Sequence, residues 1–417
     1  MDLKIIAIFV FIFVGCAVQH KHKTNTSTIE TNELQTSNEI DFELIKAWVK
    51  DKRIVALGES THGIGAFYSM KSEIVQFLHE ELGYEVLAME GGFGDINLAW
   101  LDVDNMDAIE LRNKTLFGNF ICQEIKPLFE HLKENQNKES SLSYTGFDTQ
   151  TSGDYYSNYL KAICTHLDLE LDVEKEFLAY IKIYQASFEP DSTNFIQYRN
   201  HYQNILKTLK QEVLENKNHL KEIMSLSDLE LTIILRNLDL QYNAVNYHYV
   251  ERFNAENMHA GIILRDQLMA QNIEWIIDAL YPNKKIIIWA HNGHVGKSGI
   301  NNYATKMMGE HLQDIYKDNY FSIGLFAYKG NTYQHWTKES IAFENSDSTS
   351  IENKMKRAHY KYSYQKFRNS DPNHWSNQEV TALEIENGGQ VTFIPSKRFD
   401  AAINIYSGDI PRFERRK

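Results

Sequence analysis

The sequence predicts an α/β fold: a mostly parallel central sheet flanked by helices, with a large helical insertion. Three observations carry this. Short apolar runs of strand length (Arg53 to Leu57, Tyr84 to Met89, Ser143 to Phe147, Lys285 to Trp289) each end in a cluster of glycine and ionisable residues. Strands buried on both faces read this way in parallel sheets. Between the first two runs lies an amphipathic helix with Phe67, Met70, Ile74, Phe77, Leu78 and Leu82 on one face, a strand-helix-strand unit of the expected size. From Tyr155 to Tyr281 the pattern turns almost wholly helical, with a stripe of Tyr202, Ile205, Leu206, Leu209 and Val213 and a longer one running from Phe253 through Met258 and Ile262 to Leu280.

The folded part is introduced by a short helix, Asp41 to Asp51. Gly58 to Gly65 forms a loop, and Gly83 ends the helix that follows it. The unit from Arg53 to Met89 implies a parallel pair joined by a right-handed crossover. After the insertion come the strand at Lys285, a helix from about Tyr303 to Lys317 and a strand from Tyr320 to Ala327. The tail is less periodic, with strands expected near Val391 to Ile394 and Ala401 to Ile405. No internal repeat is visible, and no phosphate-cradling glycine motif.

The chain of 417 residues has 43% hydrophobic and 24% charged residues, ordinary for a globular protein with ample core. Its formal net charge of -13 repels phosphate backbones, so nucleic acid is not an expected partner. Residues 1–16 read as an export signal. Lys4 precedes an apolar run from Ile5 to Val14, too short to span a bilayer but of signal-core length. The run ends in Phe13-Val14-Gly15-Cys16, which resembles a bacterial lipobox with Cys16 as the lipidated residue. Residues 17–39, rich in Thr, Asn, Ser, Gln and Glu, read as a flexible tether, leaving 40–417 as the folded domain. The expected location is the cell envelope, anchored to the bilayer through Cys16 and facing the periplasm or exterior. Cys122 and Cys164, the other two cysteines, are too few for a disulfide framework and carry no zinc spacing.

Three polar clusters follow three of the strands: Gly58-Glu59-Ser60-Thr61-His62-Gly63, Glu90-Gly91-Gly92 and His291-Asn292-Gly293-His294. In an open parallel sheet the carboxyl ends share one edge, so these residues are expected to converge there. Taken singly, Glu59 could cap the next helix, Glu90 could be a solvated strand end, and the histidines could be ordinary loop residues. Together they suit hydrolysis by activated water. A neutral imidazole accepts the proton, a carboxylate fixes its tautomer, and other cationic groups meet the oxyanion. No GxSxG elbow is present, so a serine acyl-enzyme lacks support.

The loop Gly58, Glu59, Thr61, His62 and Gly63, with Lys71 nine residues on and Glu90 closing the second strand, resembles the opening of the erythromycin esterase family. Trp289 to Val295 is similar to the family's second signature, and weaker agreements occur at Gly146 to Gln150, Arg265-Asp266, Met269-Ala270, Gly309, Leu312, Phe399-Asp400 and Pro411. The resemblance implies a cofactor-free hydrolase acting on a small-molecule ester or macrolactone, macrolides included. His62 would be its general base, with Glu59, Lys71, Glu90, His291 and His294 lining the site and Asp148, Arg265 and Asn292 binding substrate. One departure is Ala66, where the family usually has a glutamate. Two other readings stay open. A divalent metal could sit on His62, His291 and His294 in a metal-dependent hydrolase or peptidase. Alternatively, the chain could be a haem- or ligand-binding lipoprotein, as in the wider superfamily.

Overall fold

In the computed structural model, the described residues are 33–186, 192–253, 260–301, 306–335, 337–367, 371–384 and 389–415. Cys16 and its signal, the tether up to residue 32, Met258 and the expected helix start at Tyr303 lie outside them.

Eleven strands are described: β1 (Gln35–Ser37), β2 (Ile54–Leu57), β3 (Val86–Gly92), β4 (Ser143–Asp148), β5 (Ile286–Trp289), β6 (Tyr320–Gln334), β7 (Glu339–Glu344), β8 (Tyr362–Lys366), β9 (Val380–Glu384), β10 (Gly389–Phe393) and β11 (Ala401–Gly408). The main sheet runs β1-β8-β11-β6-β2-β5-β3-β4, with β7 added to β6, while β9 and β10 form a separate hairpin. From β11 to β4 every neighbouring pair is parallel; β1, β7 and β8 are antiparallel additions.

β2 and β5 are Ile-Val-Ala-Leu and Ile-Ile-Ile-Trp, fully buried on both faces. Their period of two splits them between two cores. Val55, Leu57, Leu87, Met89, Ile287 and Trp289 join one apolar cluster, and Ile54, Ala56, Val86, Ala88, Ile286 and Ile288 the other. The first face is covered by α1 (Phe42–Val49), α2 (Gly65–Leu82), α3 (Phe93–Leu101), α4 (Ala108–Thr115) and α5 (Lys126–Asn135). Gly83 closes α2 at φ 65°, the left-handed conformation that glycine adopts without strain.

The helical insertion comprises α6 (Tyr155–His166), α7 (Val173–Ala186), α8 (Ser192–Glu215), α9 (Lys217–Ile223), α10 (Asp228–Phe253) and α11 (Ala260–Trp275), the last running into a π-turn at Ile276–Leu280. It has a core of its own, including Tyr156, Tyr202, Leu209 and Ile234, whereas α11 turns Met269 and Ile273 onto the second sheet face. Ile262, expected on the buried stripe, is 38% exposed. Short helices α12 (Asn292–Val295), α13 (Met308–Tyr316), α14 (Ile351–Met355) and α15 (Pro395–Arg398) complete the fold.

Two expectations need correction. β2 and β3 are parallel but not neighbours, because β5 is hydrogen-bonded between them. Its four large apolar side chains need cover on both faces, which the slot between two parallel strands supplies. The end of the expected tether is also ordered, since Gln35–Ser37 pairs with Tyr362–Tyr364 along the sheet edge. β6 continues to Gln334, eleven residues past the Leu57↔Ile323 pairing that marks the end of β2 (334 − 323 = 11), so it overhangs the carboxyl edge.

Candidate active site

The strand order β2-β5-β3-β4 places the three polar loops, and Asp148, side by side at the carboxyl edge. Backbone bonds stitch them together: Asn292 N–H donates to Glu59 O (2.8 Å), and His291 N–H donates to Glu90 Oε2 (2.9 Å). The β3–β4 register shifts between Met89 and Gly92, a bulge that falls on Glu90 and re-aims its side chain. Gly146 permits that bulge: a Cβ there would lie 2.6 Å from Gly92 O.

On one side of the site, Glu59 is fully buried and holds two side chains, His62 and Lys71. Its Oε1 lies 3.1 Å from His62 Nδ1, and its Oε2 accepts from Lys71 Nζ. Lys71 on α2 also donates to Ala290 O (3.2 Å) and stands 4.3 Å from the centre of the Trp289 ring. Complete burial pulls its ammonium down from the ordinary 10.5 to about 8, with Glu59 and Glu90 working against that fall. Of the three, only the His62 side chain meets solvent, at 19% exposure. Its backbone carbonyl accepts from Tyr68 Oη (2.5 Å), and Phe120 packs edge-on against its ring. Glu59 does not cap α2, whose N-cap, Ile64, has no side-chain bond.

On the other side, His294 lies between two carboxylates, with Nδ1 2.8 Å from Asp266 Oδ1 and Nε2 3.3 Å from Glu90 Oε1. Burial opposes its charge, but Asp266 and Glu90 outweigh it and raise the imidazolium to about 10. Burial likewise works against the Glu90 carboxylate, and His294, His62 and Arg265 together hold it well below its usual range. His291 accepts from Gly293 N–H at Nδ1 (3.0 Å), which leaves its ring proton on Nε2. The rings of His62 and His291 are 5.3 Å apart, those of His291 and His294 6.4 Å.

Of the three residues assigned to substrate binding, Arg265 alone reaches solvent. Its Nε and Nη2 grip the buried Asp148 at 3.1 and 2.5 Å, and Nη2 lies 3.4 Å from Glu90. Asp148 is therefore the anchor that aims Arg265. Asn292 departs from its expected role: its amide spends both arms on the backbone of Leu325 (3.0 and 3.3 Å), and it is wholly buried. It is a strut between β5 and β6.

Asp266 was missed as a site residue. Besides His294 it accepts from Met308 N–H (2.9 Å), tying α11, α12 and α13 to one carboxylate. Its signal in the sequence was the Arg265-Asp266 agreement with the family, which attached no role to the carboxylate. As for metal, no three His, Cys, Asp or Glu side chains among the described residues are grouped to hold an ion. His294 has both nitrogens on carboxylates, and the Nδ1 atoms of His291 and His62 face Gly293 N–H and Glu59.

A family model described as erythromycin esterase matches residues 79–407, a span that includes Glu90, Asp148, Arg265, Asp266, His291 and His294 but begins after Lys71. YbfO of Bacillus subtilis (strain 168), whose name describes it provisionally as a hydrolase, is 30% identical over 312 residues, covering 70% of this chain and 68% of that protein. Erythromycin esterase type II of Escherichia coli is 23% identical over 330 residues, 71% of this chain and 74% of its own. Among solved structures, a Bacillus cereus protein superposes with a TM-score of 0.68 at 20% identity, over 91% of this chain and 95% of its own. A histidine mutant of the erythromycin esterase EreC, in its open conformation, gives 0.60 at 15% identity, over 92% and 100%. At these identities the structural likenesses speak for the fold alone.

Proposed function

Because this chain belongs to the erythromycin esterase family, we propose that its site hydrolyses carboxylic esters, open-chain or macrolactone, with water activated by His62. The observation carrying this reading is the Lys71–Glu59–His62 series, in which two buried charges present one solvent-facing imidazole. With Nδ1–H donated to Glu59, Nε2 is the ring nitrogen that acts as base. Water gives its proton to Nε2 as its oxygen bonds to the carbonyl carbon, and the carbonyl π pair moves onto oxygen. That oxyanion is met by the Nε2–H of His291, in the field of the cationic Arg265 and His294. Collapse re-forms the carbonyl and expels the alkoxide, which takes the proton back from His62. One water is consumed, an acid and an alcohol leave, and His62 is restored.

Protein lacking residues 1–16 should cleave at least one member of a panel of macrolides and simple esters, and prolonged chelation followed by desalting should leave that rate intact. A rate lost to chelation and restored by zinc or manganese would move the chemistry to a metal on His62, His291 and His294. No turnover across the panel would remove the hydrolytic reading.

The same proposal extends to location. No helix among the described residues is long and apolar enough to cross a membrane, so attachment would rest on Cys16 and its lipid, several acyl chains giving stable anchoring at about 0.8 kcal/mol per buried CH₂. Cys16→Ser protein should accumulate as uncleaved precursor or move to the soluble fraction, as membrane fractionation would report. Cleaved Cys16→Ser protein still bound to membranes would defeat the assignment.

A further inference from the structure

The overhang of β6 stands against the catalytic loop. Tyr333 N–H donates to Gly63 O (3.0 Å), Thr61 and Thr332 hydroxyls lie 3.4 Å apart, and Gly65 N–H donates to Asp409 O (2.8 Å). This brings three rings from two distant segments next to the base. Tyr333 and His335 have centroids 5.0 Å apart, and Phe413 lies 4.8 Å from the first and 5.7 Å from the second. His335 Nε2 approaches the backbone carbonyl of His62 at 3.4 Å. Phe413 is held there by its backbone, which bridges to Cys122.

The exposure of this cluster separates it from core packing. Phe326, Phe393 and Phe399 make a comparable trio and are buried. Phe413 is 37% exposed, and Tyr333 and His335 are only half-buried. Grouped rings left open to water beside a candidate base are the usual mark of a binding surface.

We propose that Tyr333, His335 and Phe413 form an aromatic rim that stacks on a ring of the substrate, so that the preferred substrates are ring-bearing esters. The inference rests on the hydrolytic reading and deepens it by naming the substrate class. The rim touches the backbone of His62 rather than its imidazole, so it sets which ester is held at the base and takes no part in proton transfer.

The test compares kcat/KM for benzyl against ethyl acetate, and for methyl phenylacetate against methyl acetate, in wild type and in Phe413→Ala. The ratio should fall about tenfold in at least one pair, with the loss in KM, and Phe413→Tyr should restore it. Ratios unchanged in both pairs would overturn the proposal while leaving the hydrolytic reading intact. Should wild type cleave none of the four, that reading would lose support, and binding of 1-naphthylmethanol, followed by its fluorescence, would still judge the rim. Weaker binding in Phe413→Ala supports the rim, and equal binding in both proteins overturns it.

Discussion

His62→Ala should lower kcat/KM by at least about 10²-fold on any ester the wild type cleaves, the low end of what a positioned general base contributes. The variant should fold normally. The side chain of His62 is partly exposed, and Tyr68 and His335 approach its backbone oxygen, which alanine retains. Circular dichroism and thermal melting would check the fold, and steady-state kinetics the rate. Free imidazole, diffusing into the space left by the ring, should recover part of the activity. His294 is no substitute base, since a ring held as imidazolium by Asp266 and Glu90 has no lone pair to offer near neutral pH. A wild-type rate in His62→Ala would remove this histidine from the mechanism.

Much of this site was legible because each strand that matters is an apolar run stopped by a charged, glycine-containing loop. Glu59, His62, Glu90, His291 and His294 converge as the rule of strand carboxyl ends requires. What stayed hidden depended on partners far away in the chain. The position of β5 between β2 and β3 is a property of strand order, which no local pattern encodes. Asp266 is one polar residue on a helix, and its role appears only when α12 and α13 pack against it. Asn292, in a histidine-rich loop, looked like a ligand-binding residue until Leu325 took both ends of its amide.

Two of the missed strands, β1 and β8, have a similar cause. β1 is Gln-Thr-Ser and β8 is Tyr-Ser-Tyr-Gln-Lys, with little apolar alternation to mark them. β8 is ordered by pairing with β11, and β1 by pairing with β8. The Tyr364 hydroxyl then accepts from Asp41 N–H, where α1 begins.

The Glu59–Lys71 pair should separate stability from catalysis. In Lys71→Met, Glu59 is left as a fully buried carboxylate with only His62 against it, and it must take up a proton or remain uncompensated. Losing one member of a buried pair costs about 3–5 kcal/mol, whereas replacing both with groups of similar volume is often close to neutral. Lys71→Met should therefore melt well below wild type, and Glu59→Gln/Lys71→Met should regain most of that stability. Activity should not follow. A glutamine at 59 cannot stabilise the imidazolium that forms on His62, so the double variant should stay about 10²–10⁴-fold down in kcat. Stability against pH provides a second readout. Lys71 titrates near 8 in the folded protein and near 10.5 when unfolded, so between those values the unfolded chain binds more protons and stability rises with pH, by at most about 1.4 kcal/mol per unit. His294, raised from 6.5 to about 10, acts in the opposite sense: its contribution is complete below 6.5 and declines as pH climbs toward 10. The curve for wild type minus Lys71→Met cancels the His294 slope and should isolate a rise between pH 8 and 10.5. A flat difference curve would show that burial does not depress the Lys71 ammonium, and a double variant no more stable than Lys71→Met would show that the two side chains are not coupled. A double variant with wild-type kcat would show that Glu59 does not serve His62.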